Sequence, residues 1–371
     1  MDEIKITIIG AGIIGLAIAA ELSEKYNEIF IIERNDSFGQ EISSRNSEII
    51  HSGIYYPSDS LKFKLCREGA NYLYETCEQS SVPFKRIGKI IIATEKSEID
   101  HLERLFQNGL SNGLTELQLL DRQEIKRIEP NTNAIAGIFS PETGIIDSHA
   151  LMKSFATKAK VRGVEIVYQS EVDFLTKEKG KFIIGLKQDA YRFISEVVIN
   201  SAGLQSDMIA SLIGMDIDKL GYRLHFCKGD YFAYTKQSPV SMLIYPLPDE
   251  CFVGLGIHAT LDMGLRLRFG PDNEYMDEIN YKVDPNKKER FRIAAQKIIP
   301  NLDQDSIIPD MSGIRPKIQG SEDTFKDFII KNESDLDLNG LINLIGIESP
   351  GLTSCIAIAR MVSDLVADIL H

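Results

Sequence analysis

The chain opens with alternation, Ile4-Lys5-Ile6-Thr7, and turns fully apolar at Ile8-Ile9, as a strand entering a buried parallel sheet does. Gly10-Ala11-Gly12-Ile13-Ile14-Gly15 follows at once, and residues 13–25 run from small and apolar to polar, the mark of a helix packed by its first turns. A second apolar strand, residues 28–32, ends at Glu33. Strand, G-x-G-x-x-G, helix, strand and terminal acid in that order describe a dinucleotide-binding unit. The first glycine makes the tight turn, the second lets a pyrophosphate reach the backbone, and the third lets the helix approach its strand. The helix N-terminus offers free N–H groups and a positive dipole end to the phosphates, and Glu33 stands where a ribose hydroxyl is held.

Further along, the pattern predicts helices over 61–79, 97–112 (with Ser97 as N-cap and Gly113 closing it) and 121–129, and a strand over 87–93. Asp147-Ser148 caps a helix through residue 160. Strands follow at 163–168, 182–186 and 193–199, the last running into a second glycine turn, Asn200-Ser201-Ala202-Gly203. From residue 222 the pattern changes to consecutive strands without helices (222–234, 243–247, 252–259 and 265–269), an antiparallel sheet. A helix over 287–298 and strands over 313–318 and 328–331 follow, and the opening theme then returns with a strand at 341–345, a glycine-bounded loop and a helix over 353–370. The fold class is therefore α/β with an α+β insertion: a discontinuous Rossmann-like FAD-binding domain (residues 1–80, 145–215 and 335–371) and an inserted, mainly antiparallel β-sheet substrate domain (81–144 and 216–334). A nucleotide fold split in this way favours bound FAD over exchangeable NAD.

Composition narrows the partners. With 54 acids against 41 bases, a net charge of −13, the chain lacks the basic footprint of a nucleic-acid binder. The apolar run near the start follows Asp2 and Glu3 rather than a basic segment, so it does not read as a signal peptide, and no run reaches membrane-spanning length. Five scattered cysteines without a C-x-x-C pair read as reduced thiols of a cytoplasmic protein, with peripheral membrane association left open. No cluster has metal-ligand spacing.

Several longer motifs carry a resemblance: Ser43-Ser-Arg-Asn-Ser-Glu-Ile-Ile-His51-Ser-Gly-Ile-Tyr-Tyr56, Lys228-Gly-Asp-Tyr-Phe232, Gly256-Ile-His258-Ala-Thr260, Phe269-Gly-Pro271, Gly313-Ile-Arg315-Pro-Lys317 and Gly346-Ile-Glu-Ser-Pro-Gly-Leu-Thr353. With the amino-terminal fingerprint they resemble the FAD-dependent oxidoreductases of the D-amino-acid oxidase superfamily, and within it the L-2-hydroxyglutarate oxidase/dehydrogenase branch, over nearly the whole chain. The segment Gly270-Pro271-Asp272-Asn273 departs from the Gly-Pro-Asn-Ala of hydroxyglutarate-specific members. The resemblance implies that Gly10, Ala11, Gly12, Ile14 and Gly15 hold the FAD pyrophosphate, and Glu33 and Arg34 the adenosine side. It further implies that Val172 meets the adenine, that Ala202-Gly203 forms the second turn, and that Ser43, Ser44, Asn46, Ser47 and His51 line the flavin. Gly346, Pro350, Gly351, Leu352 and Thr353 would bring the last helix's N-terminus to the flavin pyrimidine edge, where reduced flavin is negative.

Oxidation of a 2-hydroxy acid needs a cation for the carboxylate, a base for the hydroxyl proton and a fixed α-carbon. Arg315 suits the carboxylate because a guanidinium matches it bidentately. His51 and His258 are the base candidates, since imidazole titrates near neutral pH. Tyr55, Tyr56 and Tyr245 are either substrate hydrogen-bond partners or packing aromatics. Lys228 and Arg45 are the cations available for a second carboxylate. The leading expectation is an FAD enzyme oxidising a small L-2-hydroxy acid of the hydroxyglutarate type. The alternatives are oxidation of glycine, sarcosine or another amine, oxidation of glycerol-3-phosphate, and a flavoprotein without catalysis. Oxygen, a quinone or a carrier protein would take the electrons.

Overall fold

A computed structural model describes residues 1–188, 191–248 and 256–371. Glu3–Ile9 is the centre of the first sheet. It pairs in parallel with Ile29–Ile32 on one side and Arg192–Asn200 on the other, so Ile6 and Ile8 are fully buried. The parallel layer extends outward to Glu165–Val167 and to Leu338–Ile345. Three chain segments far apart in sequence thus build one nucleotide-type sheet. The helices Ile13–Leu22, Ser148–Val161, Leu61–Ser80 and Gly351–Leu370 pack together against it and share its main apolar core. The small residues of Ile13–Leu22, among them Ala17 and Ala19, permit that crowding on every side of the helix.

Three more strands extend this layer. Val172–Glu178, which periodicity did not single out because its polar positions are irregular, forms an antiparallel pair with Lys181–Leu186. Ile329–Glu333, expected in the substrate unit, instead pairs antiparallel with Leu338–Ile345. The short connection between these strands makes a hairpin, and the hairpin carries both to the nucleotide sheet.

The second sheet has nine strands among the described residues. Its longest pair joins His225–Tyr234 to Ile307–Lys317, with Cys227 opposite Arg315 and Gly229 opposite Gly313. Most pairings are antiparallel, as expected, but Leu243–Pro246 runs parallel to Lys89–Ala93. Those two strands belong to separate excursions of the chain, so no hairpin dictates their direction. Of the strand expected over 252–259, residues 252–255 lie outside the described residues, and a strand is formed by Ala259–Leu261.

The helix expected over 97–112 is a short 3₁₀ turn, Lys96–Glu98, followed by Ile99–Ser111. Its start is closed by a capping box between Glu95 and Glu98 rather than by Ser97, because two carboxylates satisfy the free N–H groups reciprocally. Asp147 caps Ser148–Val161 as expected, accepting from the Ala150 N–H at 2.8 Å. Cys66, Cys77, Cys227 and Cys355 are buried free thiols, and Cys251 lies outside the described residues.

Candidate active site

One cleft of about 1900 Å³, its open mouth included, runs from the glycine turn to the second sheet. Its lining joins the glycine turn and the Ser43–His51 loop to the second sheet, an elongated course that suits a dinucleotide with a substrate at its far end. At its nucleotide end Gly10 has φ +101°, and a Cβ there would sit 2.7 Å from the Ser201 carbonyl oxygen. A Cβ on Gly15 would fall 2.0 Å from the Gly10 oxygen, so the third glycine is what lets helix and turn meet. The Glu33 carboxylate accepts from the Ala11 N–H at 2.7 Å and from the Asn35 N–H at 2.8 Å. That clamps the acid at the lip of the cleft beside Arg34, which pairs with Glu41. Gly10, Gly12, Ile14, Val172, Ala202 and Gly203 also line this end, whereas Ala11 and Gly15 lie behind the wall.

The segment from Ser43 to His51 forms the middle of the cleft and is held mainly by its own polar groups. Ser43 Oγ accepts from the Ile13 N–H at 2.9 Å, tying the loop to the helix N-terminus. Asn46 donates to the Ser43 carbonyl at 2.9 Å and accepts from the Glu48 N–H at 2.8 Å. Ser47 meets the Tyr231 hydroxyl at 2.8 Å. Ser44 turns away from the cleft and donates to the Gly39 carbonyl. The Gly313 strand crosses so close that a Cβ would lie 2.1 Å from the Arg45 oxygen, which is why that motif contains glycine.

Residues Ile347 to Leu352 bring the N-terminus of Gly351–Leu370 to the cleft, with Pro350, Gly351 and Leu352 lining it. Thr353 does not reach the cavity. Its hydroxyl accepts from the His51 N–H at 3.0 Å and donates to the Ile49 carbonyl at 3.2 Å, locking the helix start to the histidine loop. Gly346 stands just behind, with φ +73°.

At the far end His51, His258, Tyr245, Tyr231, Asn273, Arg315 and Glu348 face one space. His258 Nδ1 lies 2.9 Å from the Gly256 carbonyl oxygen, which can only accept, so Nδ1 carries the proton and Nε2 keeps its lone pair. Its ring stacks on Tyr245 with centroids 3.9 Å apart. Burial lowers the pKa of His258 to about 3, with Arg315 and Lys89 adding to the effect against the Gly256 hydrogen bond. His51 is likewise lowered to about 3, first by burial, then by Lys89 and His258. Both imidazoles are therefore neutral at pH 7.

Arg315 donates to the Asp272 carbonyl at 2.7 Å and to the Asn273 side chain. Burial works against its charge but is outweighed by Cys227, Tyr231, Glu348 and Asp272. The segment Asp272-Asn273, which departs from the pattern of the hydroxyglutarate branch, is thus the direct support of the guanidinium. Glu348 stays ionised despite burial because Lys62 contacts it at 2.9 Å and Lys317 lies 3.9 Å away.

Two of the expected substrate contacts are placed elsewhere. Lys228 faces away from the cleft: along His225–Tyr234 alternate side chains point to opposite sides, so Gly229 and Tyr231 face the cavity while Lys228 and Asp230 face the other side. There Lys228 bonds the Lys282 carbonyl and sits 3.4 Å from Asp230. Arg45, by contrast, lines the cleft with its guanidinium over the Tyr281 ring at 4.3 Å. Tyr55 stands behind the wall with a buried hydroxyl that has no hydrogen-bond partner among the described residues, and Tyr56 reaches the Ser349 hydroxyl at 3.3 Å. Sequence reasoning gave no role to Tyr231, Glu348 or Lys89: the first two sit inside motifs singled out for other residues, and Lys89 heads an apolar strand.

A glycine turn, a helix N-terminus and an acid at one end of a cleft, with neutral imidazoles and a guanidinium at the other, define a flavin-dependent oxidoreductase. The chain belongs to the FAD-dependent oxidoreductase family (DAO), whose model matches residues 5–365. It is 36% identical to the mitochondrial L-2-hydroxyglutarate dehydrogenase of Arabidopsis thaliana, over 98% of this chain and 83% of the relative. It is 31% identical to a glycerol 3-phosphate dehydrogenase of Caloramator mitchellensis, over 98% of this chain and 74% of that protein. Among solved structures, the FAD-bound L-alpha-glycerophosphate oxidase of Mycoplasma pneumoniae superposes with a TM-score of 0.89 at 24% identity, covering 99% of this chain and 95% of that one. Glycine oxidase from Geobacillus kaustophilus shares the fold with a TM-score of 0.80 at 20% identity, covering 99% and 95%.

Proposed function

We propose that the protein oxidises a doubly anionic L-2-hydroxy acid of the hydroxyglutarate type to its 2-oxo acid. The observation that carries this reading is the convergence of two neutral, buried imidazoles and one buried guanidinium on the same end of the FAD cleft. Gly10, Gly12, Glu33, Ser43 and the Gly351 helix start would hold FAD, which would supply the hydride acceptor. Arg315 takes the substrate's C1 carboxylate. A neutral histidine of the pair receives the hydroxyl proton as the α-hydrogen departs. Arg45, rather than Lys228, is the cation for the distal carboxylate.

A second reading, glycerol-3-phosphate, draws support from the relative and the solved structure just described, and a phosphate would also suit the two arginines. The two readings separate by anaerobic flavin bleaching with L-2-hydroxyglutarate, its D isomer, L-lactate, glycine, sarcosine and glycerol-3-phosphate. L-2-hydroxyglutarate should be fastest, and fastest bleaching by an amine or by glycerol-3-phosphate would refute the hydroxy-acid assignment. The acceptor that reoxidises the flavin, among oxygen, a quinone and a carrier protein, follows from the same preparation. Among the described residues no helix is long and apolar enough to cross a membrane. The free, scattered cysteines support a cytoplasmic location, and the plant relative is mitochondrial.

A further inference from the structure

Lys89 lies directly behind the histidine pair and takes no part in the reaction outlined above. It begins the strand Lys89–Ala93 and is fully buried. Its ammonium stands 4.7 Å from the centroid of the Tyr55 ring and 5.0 Å from that of Tyr245, held between two aromatic faces. Tyr245 carries His258 stacked upon it.

Each neighbouring element contributes something definite. The loop after Ile49–Ile50 supplies His51 and Tyr55, the helix Leu61–Ser80 supplies Cys66, and Leu243–Pro246 supplies Tyr245. Residue His258 and, across the cavity, Arg315 complete the charged and titratable surroundings. Ala136–Ser140, the other flanking strand, has no ionisable residue, and Ile99–Ser111 turns Leu102 and Leu105 inward. Burial lowers the pKa of the Lys89 ammonium to about 7, outweighing the opposing pull of the two aromatic faces and of Cys66.

We propose that Lys89 is a positioning residue whose proton controls the histidine pair: charged, it opposes formation of an imidazolium beside it, and neutral, it permits one. This rests on the hydroxy-acid reading in one respect, that a histidine takes the hydroxyl proton. With FAD bound, the C–H electron pair would pass to the flavin while the hydroxyl proton moves to an imidazole. Lys89 loses its proton to solvent in a prior equilibrium set by pH and not as part of the step. With Lys89 neutral, the imidazolium forms without an ammonium beside it, and with Lys89 charged it would be an added positive charge in the same buried cluster. A reductive rate that rises with pH through neutrality would usually be assigned to the histidine itself, but here it belongs to Lys89, because both histidines titrate far below.

The test uses the flavin-loaded protein with Lys89→Met, which is neutral at every pH, and Lys89→Arg, which is always charged. Anaerobic reduction by L-2-hydroxyglutarate should speed up through about pH 7 in the wild type. Lys89→Met should stay on the fast plateau and Lys89→Arg on the slow one, both flat from pH 6 to 8. The plateaus should differ by on the order of tenfold, the effect of one charge several Å away in a protein interior. An acid limb that persists in Lys89→Met overturns the proposal, and that variant suffices if the larger arginine does not fold.

A second measurement needs no substrate. A lysine whose pKa is lower in the fold than in the unfolded chain leaves the unfolded chain binding more protons between the two values, so stability rises with pH across that window. The melting temperature of the wild type relative to Lys89→Met should therefore rise from pH 7 towards pH 10. A gap that stays flat overturns Lys89 as the titrating group even if the substrate proves to be something else. A gap that rises while no hydroxy acid bleaches the flavin faults only the substrate reading.

Discussion

The two ends of the cleft are built on different principles. The nucleotide end depends on what is missing: Gly10, Gly12 and Gly15 leave space, and one carboxylate clamps the turn. Its glycine turn and acid are near neighbours in sequence, Glu33 reaching Ala11 across a separation of only 22 residues, while Val172 and Ala202-Gly203 close it from further along the chain. The catalytic end depends on what is enclosed. His51, Lys89, Tyr245, His258 and Arg315 come from separate strands and loops, and burial has moved four of them well away from their ordinary titration. A binding site for a cofactor can thus be written locally in backbone geometry. A site for proton transfer has to be assembled over long range, because only a packed interior supplies the desolvation it needs.

Breaking the nucleotide end should produce the largest effect. Gly15→Val places a side chain within the Gly10 carbonyl, 2.0 Å from its oxygen at the first carbon, so the purified protein should lack flavin absorbance and melt early. A yellow, normally stable variant would show that the turn yields more easily than the packing implies. At the other end, Arg315→Met should leave flavin bound while kcat/KM for every hydroxy acid drops about a hundredfold or more, since two charge-assisted contacts are lost. Steady-state assay across mono- and dicarboxylates measures this directly.

The distal anchor separates the two arginines from Lys228. Each charge-assisted contact is worth about 1.5–3 kcal/mol, so the dicarboxylate should be favoured over L-lactate by roughly tenfold to a hundredfold. Arg45→Met should erase that preference and leave lactate oxidation nearly unchanged. Lys228→Met should do neither, because its ammonium points into the Asp230 side of the sheet. Loss of the preference in Lys228→Met alone would put the distal carboxylate outside the cleft.

How much of this was legible in the sequence follows from the same contrast. The glycine turn, the second turn at Ala202-Gly203 and the last helix are short, local patterns, and the backbone forms them where the residues imply. Strand direction at the seam between Lys89–Ala93 and Leu243–Pro246 was not legible, since nothing local sets it. Lys228 misled because a motif tells which residues are near a site but not which face of a strand they occupy. Its alternation with Tyr231 was readable once one residue of the strand was fixed. Lys89 was hidden for the opposite reason. A lysine heading an apolar strand normally marks the strand's wet end, and only tertiary packing reveals that Tyr55 and Tyr245 have closed over it.

The most direct test of the account is anaerobic single-turnover reduction by L-2-hydroxyglutarate in the wild type, His51→Gln, His258→Gln and the double variant, with affinity for the 2-oxo product measured alongside. Loss of a general base is worth about 10²–10⁴-fold. At least one single variant should slow by that factor, the double variant should slow no less, and product affinity should stay within a few-fold. If neither single variant nor the double variant loses even about tenfold, the histidine pair does not take the substrate proton and the account of this site is wrong.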